Sequence, residues 1–229
     1  MTEDTARDTG VASLPAPAVD TTPTGAPGRL SSRQAARRQR LLDIALALLE
    51  ERDYEQISVR EVAESAGVAL ATLYRYFPSK DHLFAEALVQ WASTLGPDLT
   101  RRPLTGSAAQ RVEGALLRAA RAFERRPQLA RLLMRFETSD EAFAHEVLTR
   151  LDTATSAVYL HLLGDLSVNE ACRVVRVLDG VFDSSLRAWS FGRLTTAELR
   201  RALSDAVGLL LGRPGDPAYD GTRPEDRTQ

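Results

Sequence analysis

Residues 57–80 have the sequence ISVREVAESAGVALATLYRYFPSK, and this stretch predicts two short helices joined by a glycine turn. Ser58 is a typical N-cap, and Glu61 stands three residues later, as in a capping box. Gly67 lies where the turn needs a residue that tolerates a positive φ angle. The second helix is predicted at residues 69–77, because Pro78 cannot continue it. The pattern is typical of a helix-turn-helix.

The second of these helices has a composition that suits nucleic acid better than a protein core. It carries Thr72, Tyr74, Arg75 and Tyr76 beside few large apolar residues. Such polar, aromatic and cationic groups contact phosphates and base edges. Lys80 follows in the first turn of the next helix, where backbone amides already favour an anion. A plain structural corner is the alternative interpretation, but the composition favours DNA binding.

The segment from Ser58 to Leu83 resembles the signature of TetR-family transcriptional regulators. The resemblance rests on the motif V-A-x-A-T-L-Y-R-Y-F-P-S-K-D-x-L at residues 68–83. It implies an all-α fold, in which a three-helix helix-turn-helix head carries a larger helical body for ligand binding and dimerisation. It also implies a transcriptional regulator, most often a repressor, that a small molecule releases from DNA.

The resemblance also assigns the contacts with DNA. Family members commonly have a serine cap, a polar residue and often glycine at positions 69–71, where this chain has Ala69, Leu70 and Ala71. This departure favours contacts of Leu70 and Ala71 with thymine methyl groups over polar readout of the bases. The candidate DNA-binding residues are Ala69, Leu70, Ala71 and Arg75, with Arg60 at a phosphate or guanine edge, Thr72 at the groove entrance, and Tyr74, Tyr76 and Lys80 at phosphates.

Composition limits the protein class. The chain has 229 residues, of which 44% are hydrophobic and 26% charged, so it can bury a sizeable core in one or two domains. It has neither a long apolar run nor a secretory signal at its start, so we expect a cytoplasmic protein that joins the nucleoid when bound to DNA. Its net charge of −2 means that DNA affinity would rest on a few placed contacts. The single cysteine, Cys172, lies in an apolar helical pattern and is expected to be buried.

The domain layout follows from shifts in composition. Proline-rich residues 1–28 are predicted to be a disordered tail, residues 29–78 the DNA-binding domain, residues 79–212 the ligand-binding and dimerisation domain, and residues 213–229 a second disordered tail. A basic run precedes the first helix and could be an arm that enters the minor groove or a solvated helix end. Its members are Arg29, Arg33, Arg37, Arg38 and Arg40. Body helices are predicted at 79–95, 107–125, 127–136, 139–163, 168–191 and 196–211, the first one ended by Gly96 and Pro97.

The last two predicted helices have wide apolar stripes flanked by small residues. Such stripes occur in bundle cores and in dimer interfaces, and the resemblance implies a four-helix bundle across a two-fold axis. We therefore expect a homodimer that binds a near-palindromic double-stranded operator. The candidate interface residues are Val181, Ser185, Trp189, Leu199, Leu203, Ala206 and Leu210.

The remaining body helices carry enough large apolar groups to line a cavity as well as a core. The candidate ligand-binding residues are Trp91, Phe123, Met134, Phe136, Phe143 and Tyr159. The motif V-x-x-V-x-D-x-x-F-x-x-S-L-x-A-W at residues 174–189 resembles repressors of cholesterol and lipid catabolism, which implies an acyl-CoA or steroid effector. Arg125, Arg126 or Arg131 would then lie near the carrier phosphates. The alternative is a regulator of a drug-efflux gene that binds cationic or aromatic compounds through carboxylates such as Glu137 or Asp140.

Two other function classes were compared with the same residues. An all-α enzyme finds little support, because His82, His145 and His161 are not spaced as metal ligands, and the chain has no P-loop, nucleophile elbow or dinucleotide-binding turn. Asp179 and Asp183 are spaced i, i+4, which usually marks a solvated helix face. We therefore expect no catalytic residues, metal or cofactor. A constitutive architectural DNA binder, the other class, predicts no ligand cavity.

Overall fold

The computed structural model describes residues 31–100 and 105–212, with the backbone alone at 97–100. Within these ranges the chain forms α-helices and one 3-10 turn, Tyr54–Gln56, without any β-strand, which confirms the all-α fold class. The predicted tails and Arg29 lie outside the described residues. The helices are α1 Ser32–Glu51, α2 Val59–Ser65, α3 Leu70–Tyr76, α4 Lys80–Thr100, α5 Ala108–Arg125, α6 Pro127–Glu137, α7 Ala142–Leu162, α8 Val168–Ser190 and α9 Thr196–Leu211.

The basic run belongs to the first helix and does not form a separate arm in the described residues. Ser31 caps α1, and its side chain and that of Gln34 complete a reciprocal capping box, so the helix begins ahead of the arginines. Arg38 then turns to the body, where its guanidinium lies 2.6 Å from the carboxylate of Glu86. Arg33 and Arg37 remain exposed on the first turns of α1. The prediction that the helix starts after Arg40 was therefore wrong.

Helix α4 continues through Gly96 and Pro97 to Thr100, although these residues were predicted to end it. The extended helix lies along α7, and a Cβ atom added at Gly96 would be 3.9 Å from Val158 of α7. A proline inside a helix costs about 3 kcal/mol, so we attribute the extension to packing of α4 against α7. Residues 80–100 thus form one continuous helix that begins at the head and extends along the body.

Two clusters of buried side chains form the core. The first cluster joins the three head helices to α4, α6 and α7, and it contains Leu73, Phe77, Phe84 and Phe136. The second cluster joins α5, the end of α7, α8 and α9. Because the first cluster crosses the predicted domain boundary at residue 78, the head is packed directly on the body.

Candidate nucleic-acid interface and body cavity

The helix-turn-helix forms as its sequence predicts. The Oγ atom of Ser58 accepts a hydrogen bond from the backbone N–H of Glu61 at 3.1 Å and so caps α2. The predicted capping box is only half formed, because the Glu61 carboxylate binds Arg52 instead of the Ser58 backbone. Gly67 ends α2 with a φ of +67°. Its N–H and that of Val68 bond back to the last turn of α2, in the pattern of a Schellman motif.

Helix α3 has one buried side and one exposed side. Leu73 is buried in the head core, and Phe77 directly after the helix is buried with it, which fixes how α3 sits on the head. The opposite side exposes Ala69, Ala71, Arg75 and Tyr74, the last with 46% of its surface accessible. This side projects from the head and is free to enter a groove.

The other predicted contacts differ in how far they are accessible. Thr72 and Tyr76 are partly buried at the edges of α3. Leu70 packs partly against the head core, so the exposed Ala71 is better placed to meet a thymine methyl group. Arg60 on α2 is exposed, and among the described residues neither Arg60 nor Arg75 takes part in an ion pair. These two cations are available to DNA.

Lys80 is partly buried and contacts Tyr54. Its Nζ atom donates to the backbone oxygen of Tyr54 at 2.5 Å and lies 4.0 Å from the centre of the Tyr54 ring. Burial lowers the pKa of the Lys80 ammonium from its ordinary value. A phosphate contact by Lys80 stays a prediction, and it would require the side chain to leave Tyr54.

The arginines on the body side of the head form ion pairs with acids of the head. Arg131 lies 2.6 Å from Asp53, which directly precedes the 3-10 turn, and Arg126 lies 2.6 Å from Glu50 at the end of α1. These side chains do not line the body cavity, and neither does Arg125. A position near the carrier phosphates of a ligand stays a prediction for these arginines, and in this structure the acids of the head hold Arg126 and Arg131 at the junction.

A cavity of about 590 Å³ lies within the body among helices α4 to α8. Its wall is mostly apolar, and three aromatic residues form one side. The ring centres of Trp91 and Phe123 are 4.8 Å apart, and those of Phe123 and Phe182 are 6.1 Å apart. Further apolar lining residues are Leu88, Leu95, Leu133, Leu148, Leu151 and Val158. A cavity of this size is in the range that small-molecule sites occupy.

Three of the six predicted ligand-binding residues line this cavity, namely Trp91, Phe123 and Tyr159. The other three do not line it. Met134 and Phe136 point into the core between the head and α6, where both are buried. Phe143 stacks on His82, with ring centres 4.1 Å apart, and so packs against the start of α4. Phe182 was missed because its helix was assigned to the dimer interface alone.

One part of the cavity wall is strongly acidic. It comprises Asp152 from α7, Asp179 and Asp183 from α8, and Glu137 from α6. Burial, with the nearby charge of Asp183, raises the pKa of Asp179 to about 6. Burial, with the charge of Asp152, likewise raises the pKa of Asp183 to about 6. The i, i+4 aspartates therefore line the cavity, Asp179 partly buried and Asp183 exposed at its edge. The second predicted carboxylate, Asp140, is exposed elsewhere.

Two polar groups complete this acidic part. Arg187 pairs with Glu137 and is the one cation among the lining residues. Tyr159 is 3% exposed, and its hydroxyl has no hydrogen-bond partner in the part of the chain that the structure describes. Burial, with the charges of Asp179 and Asp183, raises the pKa of Tyr159 from its ordinary value. The hydroxyl and the aspartates are thus electrostatically coupled.

The outer surface of α8 and α9 carries exposed apolar residues, but they are not the residues predicted to form the dimer interface. Leu199 and Leu203 are fully buried within the protomer, and Ser185 is buried too, so these three cannot meet a partner. The apolar stripe predicted from the sequence included residues of two helix faces. The inner face packs within the protomer, where α9 contacts α5, and only the outer face can meet a partner. Val181, Trp189, Ala206 and Leu210 are partly buried. The exposed large apolar residues here are Val168 at 75%, Val177 at 48%, Phe191 at 64% and Leu209 at 88%.

Two smaller findings concern chemistry that the sequence raised. Cys172 is exposed, contrary to the expectation that it is buried. Among residues 31–100 and 105–212 no three His, Cys, Asp or Glu side chains are grouped so that they could hold a metal ion. No helix in those ranges is long and apolar enough to cross a bilayer.

Comparison with known families supports both parts of the molecule. The family model described as bacterial regulatory proteins, tetR family, matches residues 41–87, which include the helix-turn-helix. The model described as tetracyclin repressor-like, C-terminal domain, matches residues 106–210, which form the body after α4. Together the two matches cover most of the described chain.

Similar individual proteins agree with these matches. The chain is 34% identical over 190 residues to the HTH-type transcriptional repressor KstR of Mycolicibacterium smegmatis, covering 82% of this chain and 93% of KstR. A crystal structure of a TetR transcriptional regulator from Rhodococcus sp. RHA1 superposes with a TM-score of 0.69 at 30% identity, covering 78% and 97% of the two chains. Thermus thermophilus FadR, a repressor solved in complex with lauroyl-CoA, has a TM-score of 0.62 at 20% identity over 80% of this chain and all of FadR, which shows a common fold.

Proposed function

This chain belongs to the TetR family of bacterial transcriptional regulators, and we propose that it is a repressor that a small effector releases from a near-palindromic operator. The head would read the operator, and the body cavity would receive the effector. The observation that carries the proposal is the orientation of α3. Its buried side is anchored by Leu73 and Phe77, and its opposite side presents Tyr74 and Arg75 to solvent.

The contacts with DNA follow from this orientation. Arg75 and Arg60 have no ion-pair partner in the described structure and can reach phosphates or guanine edges. Tyr74 combines an exposed ring with a hydroxyl that can donate to a phosphate. Ala71, small and exposed, allows the α3 backbone close to the base edges. Two such helices in a homodimer would enter successive major grooves about 34 Å apart.

Dimerisation would use the outer surfaces of α8 and α9. Leu209 and Val177 expose apolar side chains there, and Gly180 has open space around it, so a second helix could approach closely. Removing apolar surface from water contributes about 25 cal/mol per Å². An isologous contact across a two-fold axis would cover the same residues on both protomers.

The effector would act through helices that touch both the cavity and the head. Helix α4 lines the cavity at Trp91 and begins at Lys80, which holds the 3-10 turn through Tyr54. Helix α6 lines the cavity at Leu133, and Arg131 on the same helix pairs with Asp53 of the head. A ligand that shifts α4 or α6 would therefore move the head. The shift is limited by the difference in ligand affinity between the two states.

Two effector classes remain from the sequence, and each has a supporting observation. An acyl-CoA or steroid fits the apolar wall around Trp91, Phe123 and Phe182, and it agrees with the resemblance of α8 to lipid-catabolism repressors. A cationic or aromatic compound fits the carboxylates of Glu137, Asp179 and Asp183. Both classes use the same cavity and the same route to the head.

The experiment is an operator-release assay. A duplex selected by the purified protein is labelled, and its binding is followed by fluorescence anisotropy while acyl-CoA thioesters, steroids and cationic aromatic compounds are added. We expect a tight complex that one class dissociates, and that class also stabilises the protein against heat. Arg121, exposed on α5 away from both sites, provides a matched control in the variant Arg121→Gln. A protein that selects no sequence would overturn the proposal.

A further inference from the structure

We propose that the acidic part of the body cavity, formed by Asp152, Asp179, Asp183 and the Tyr159 hydroxyl, binds the protonated amine of an effector whose remainder is apolar. This inference rests on the proposed function, because it takes the cavity as the effector site, and it specifies the effector's polar group.

The first observation is the charge of the lining residues. Four carboxylates face the cavity; Arg187 forms an ion pair with Glu137, and its charge also acts on Asp183. Asp152, Asp179 and Asp183 have no ion-pair partner in the described residues. Asp152 and Asp183 are exposed at the edge of the cavity and Asp179 is partly buried, and like charges gathered there repel one another unless a cation joins them. A ligand ammonium would supply that cation with three hydrogen-bond donors, as many as there are unpaired carboxylates.

The second observation is Tyr159, which is independent of the charge. This side chain is 3% exposed, lines the cavity and has a hydroxyl without a hydrogen-bond partner in the described structure. The hydroxyl is not fully enclosed by protein atoms, so it opens onto the cavity and can take a ligand or water as its hydrogen-bond partner. Tyr159 lines the same cavity as Asp179 and Asp183, and the charges of those aspartates act on its hydroxyl.

The third observation is the contrast with the rest of the wall. The lining residues of α4 and α5 include no charged side chain, and α7 adds Leu148, Leu151 and Val158 opposite them. The cavity therefore has one apolar region and one acidic region, and it suits a molecule with a hydrophobic body and a single amine. A carboxylate or phosphate in the acidic region would meet like charges, with only Arg187, already paired, to offset them.

The test uses four probes that share one chain length: n-decylamine, 1-decanol, decanoate and decanoyl-CoA. Binding to the full chain is measured at pH 7.5 by the fluorescence of Trp91 in a Trp189→Phe background, since the chain has only two tryptophans. We expect decylamine to bind at least about tenfold more tightly than the other three, because hydrogen bonds to a charged group are strong. Equal or tighter binding of decanoate or decanoyl-CoA would overturn the proposal.

Variants locate the amine. Asp179→Asn, Asp183→Asn and Tyr159→Phe should each weaken decylamine binding about tenfold or more while decanol binding changes little. Asp140→Asn is the matched control, because Asp140 is exposed and does not line the cavity. If a variant at Asp179 fails to fold, Asp152→Asn at the exposed edge of the cavity gives the same comparison. Unchanged decylamine affinity in all of these variants would overturn the assignment.

The pH dependence gives a second readout. The ionisable groups facing the ammonium are Glu137 from α6, Asp152 and Tyr159 from α7, and the two aspartates with Arg187 from α8. Decylamine binding should weaken as the pH falls from 7.5 to 5.5, because the aspartates become protonated, and binding that stays constant contradicts the proposal. The operator assay without any probe is independent. Operator binding with no selectivity for decylamine would reject this inference alone, whereas failure to bind an operator would reject the proposed function.

Discussion

The guanidinium of Arg131 on α6 lies 2.6 Å from the carboxylate of Asp53, the residue directly before the head's 3-10 turn. The pair connects the helix that borders the body cavity to the segment that leads into the helix-turn-helix. Both side chains are about half exposed, at 53% and 47%, so the pair adds at most about 1 kcal/mol to stability. We infer that its importance lies in coupling and not in stability.

Removing this pair should therefore separate effector binding from operator release. In Arg131→Gln we expect nearly wild-type thermal stability and effector affinity, but a higher effector concentration for half-release of the operator. The measurement compares effector binding, by fluorescence, with operator release, by anisotropy, on the same preparation. Arg121→Gln serves as the control that removes an exposed arginine without touching the head. An Arg131→Gln protein that releases DNA as the wild type does would rule out this connection.

The exposed side of α3 should carry most of the DNA affinity. Arg75→Ala and Tyr74→Phe each remove one phosphate or base-edge contact, and each should cost about 1–3 kcal/mol of binding free energy. If Arg60 reads a guanine edge, Arg60→Ala should reduce the difference in affinity between the operator and a scrambled duplex. Salt titrations on both duplexes distinguish the two roles, because the loss of a phosphate contact lowers the salt dependence by about one ion. Full operator affinity in the Arg75 and Tyr74 variants would disprove the contact of this side of α3 with DNA.

The dimer surface yields opposite outcomes for two leucines on one helix. Leu209, 88% exposed, should tolerate Leu209→Glu within the protomer, and the protein should become a folded monomer that binds operator weakly. Leu203 is 0% exposed, so Leu203→Glu should destabilise the protomer by about 3–5 kcal/mol through an unpaired buried charge. Light scattering measures the mass and thermal unfolding measures the stability. A dimeric Leu209→Glu protein would exclude this surface as the interface.

The aspartates of the cavity should make stability depend on pH. Their pKa values are raised to about 6 from an ordinary value of 3.8, so the folded state holds their protons more tightly than the unfolded state does. This contribution is fully present below pH 3.8 and is lost as the pH rises through about 6. Asp183 is exposed at the edge of the cavity, so water screens part of its share.

The expected result is a difference between two proteins. As the pH is lowered from 7.5 to 5.5, the free energy of unfolding of the wild type should rise relative to that of the double variant Asp179→Asn, Asp183→Asn. The double variant lacks both carboxyl groups. Urea denaturation at several pH values measures both proteins. Because all other ionisable groups are common to the two, they cancel in the comparison. Parallel curves for the two proteins would show that these carboxyls are not perturbed.

Local signals in the sequence were sufficient for most of the fold. The cap at Ser58, the glycine at 67 and the proline at 127 are decided by neighbours within a few residues, and each predicted helix was found. Gly96 and Pro97 gave a wrong helix end because packing on α7, where Val158 lies more than sixty residues later in the sequence, holds α4 in a helix beyond them. In the same way, the capping box at Ser58 is only half formed, because the Glu61 carboxylate binds Arg52, a residue outside the local motif.

The residues of a site could be predicted from the sequence only where a single helix face forms the site. The exposed side of α3 follows from its own anchors, and so its contacts could be proposed from sequence. The orientation of Phe143 depends on where His82 lies, and the burial of Leu203 depends on α5. The acidic part of the cavity combines carboxylates from three helices, and nothing in the spacing of Asp179 and Asp183 distinguishes it from a solvated face.

The central claim is that α3 reads a near-palindromic operator as part of a homodimer that an effector releases. Selection of duplexes from a random pool by the purified full chain, followed by anisotropy of the enriched sequence, tests this claim most directly. We expect an inverted repeat with half-sites about one helical turn apart. Two protomers should bind it, Arg75→Ala should abolish the binding, and the compound that fills the cavity should release it. Enrichment of no sequence, or of one that Arg75→Ala binds equally well, would contradict it.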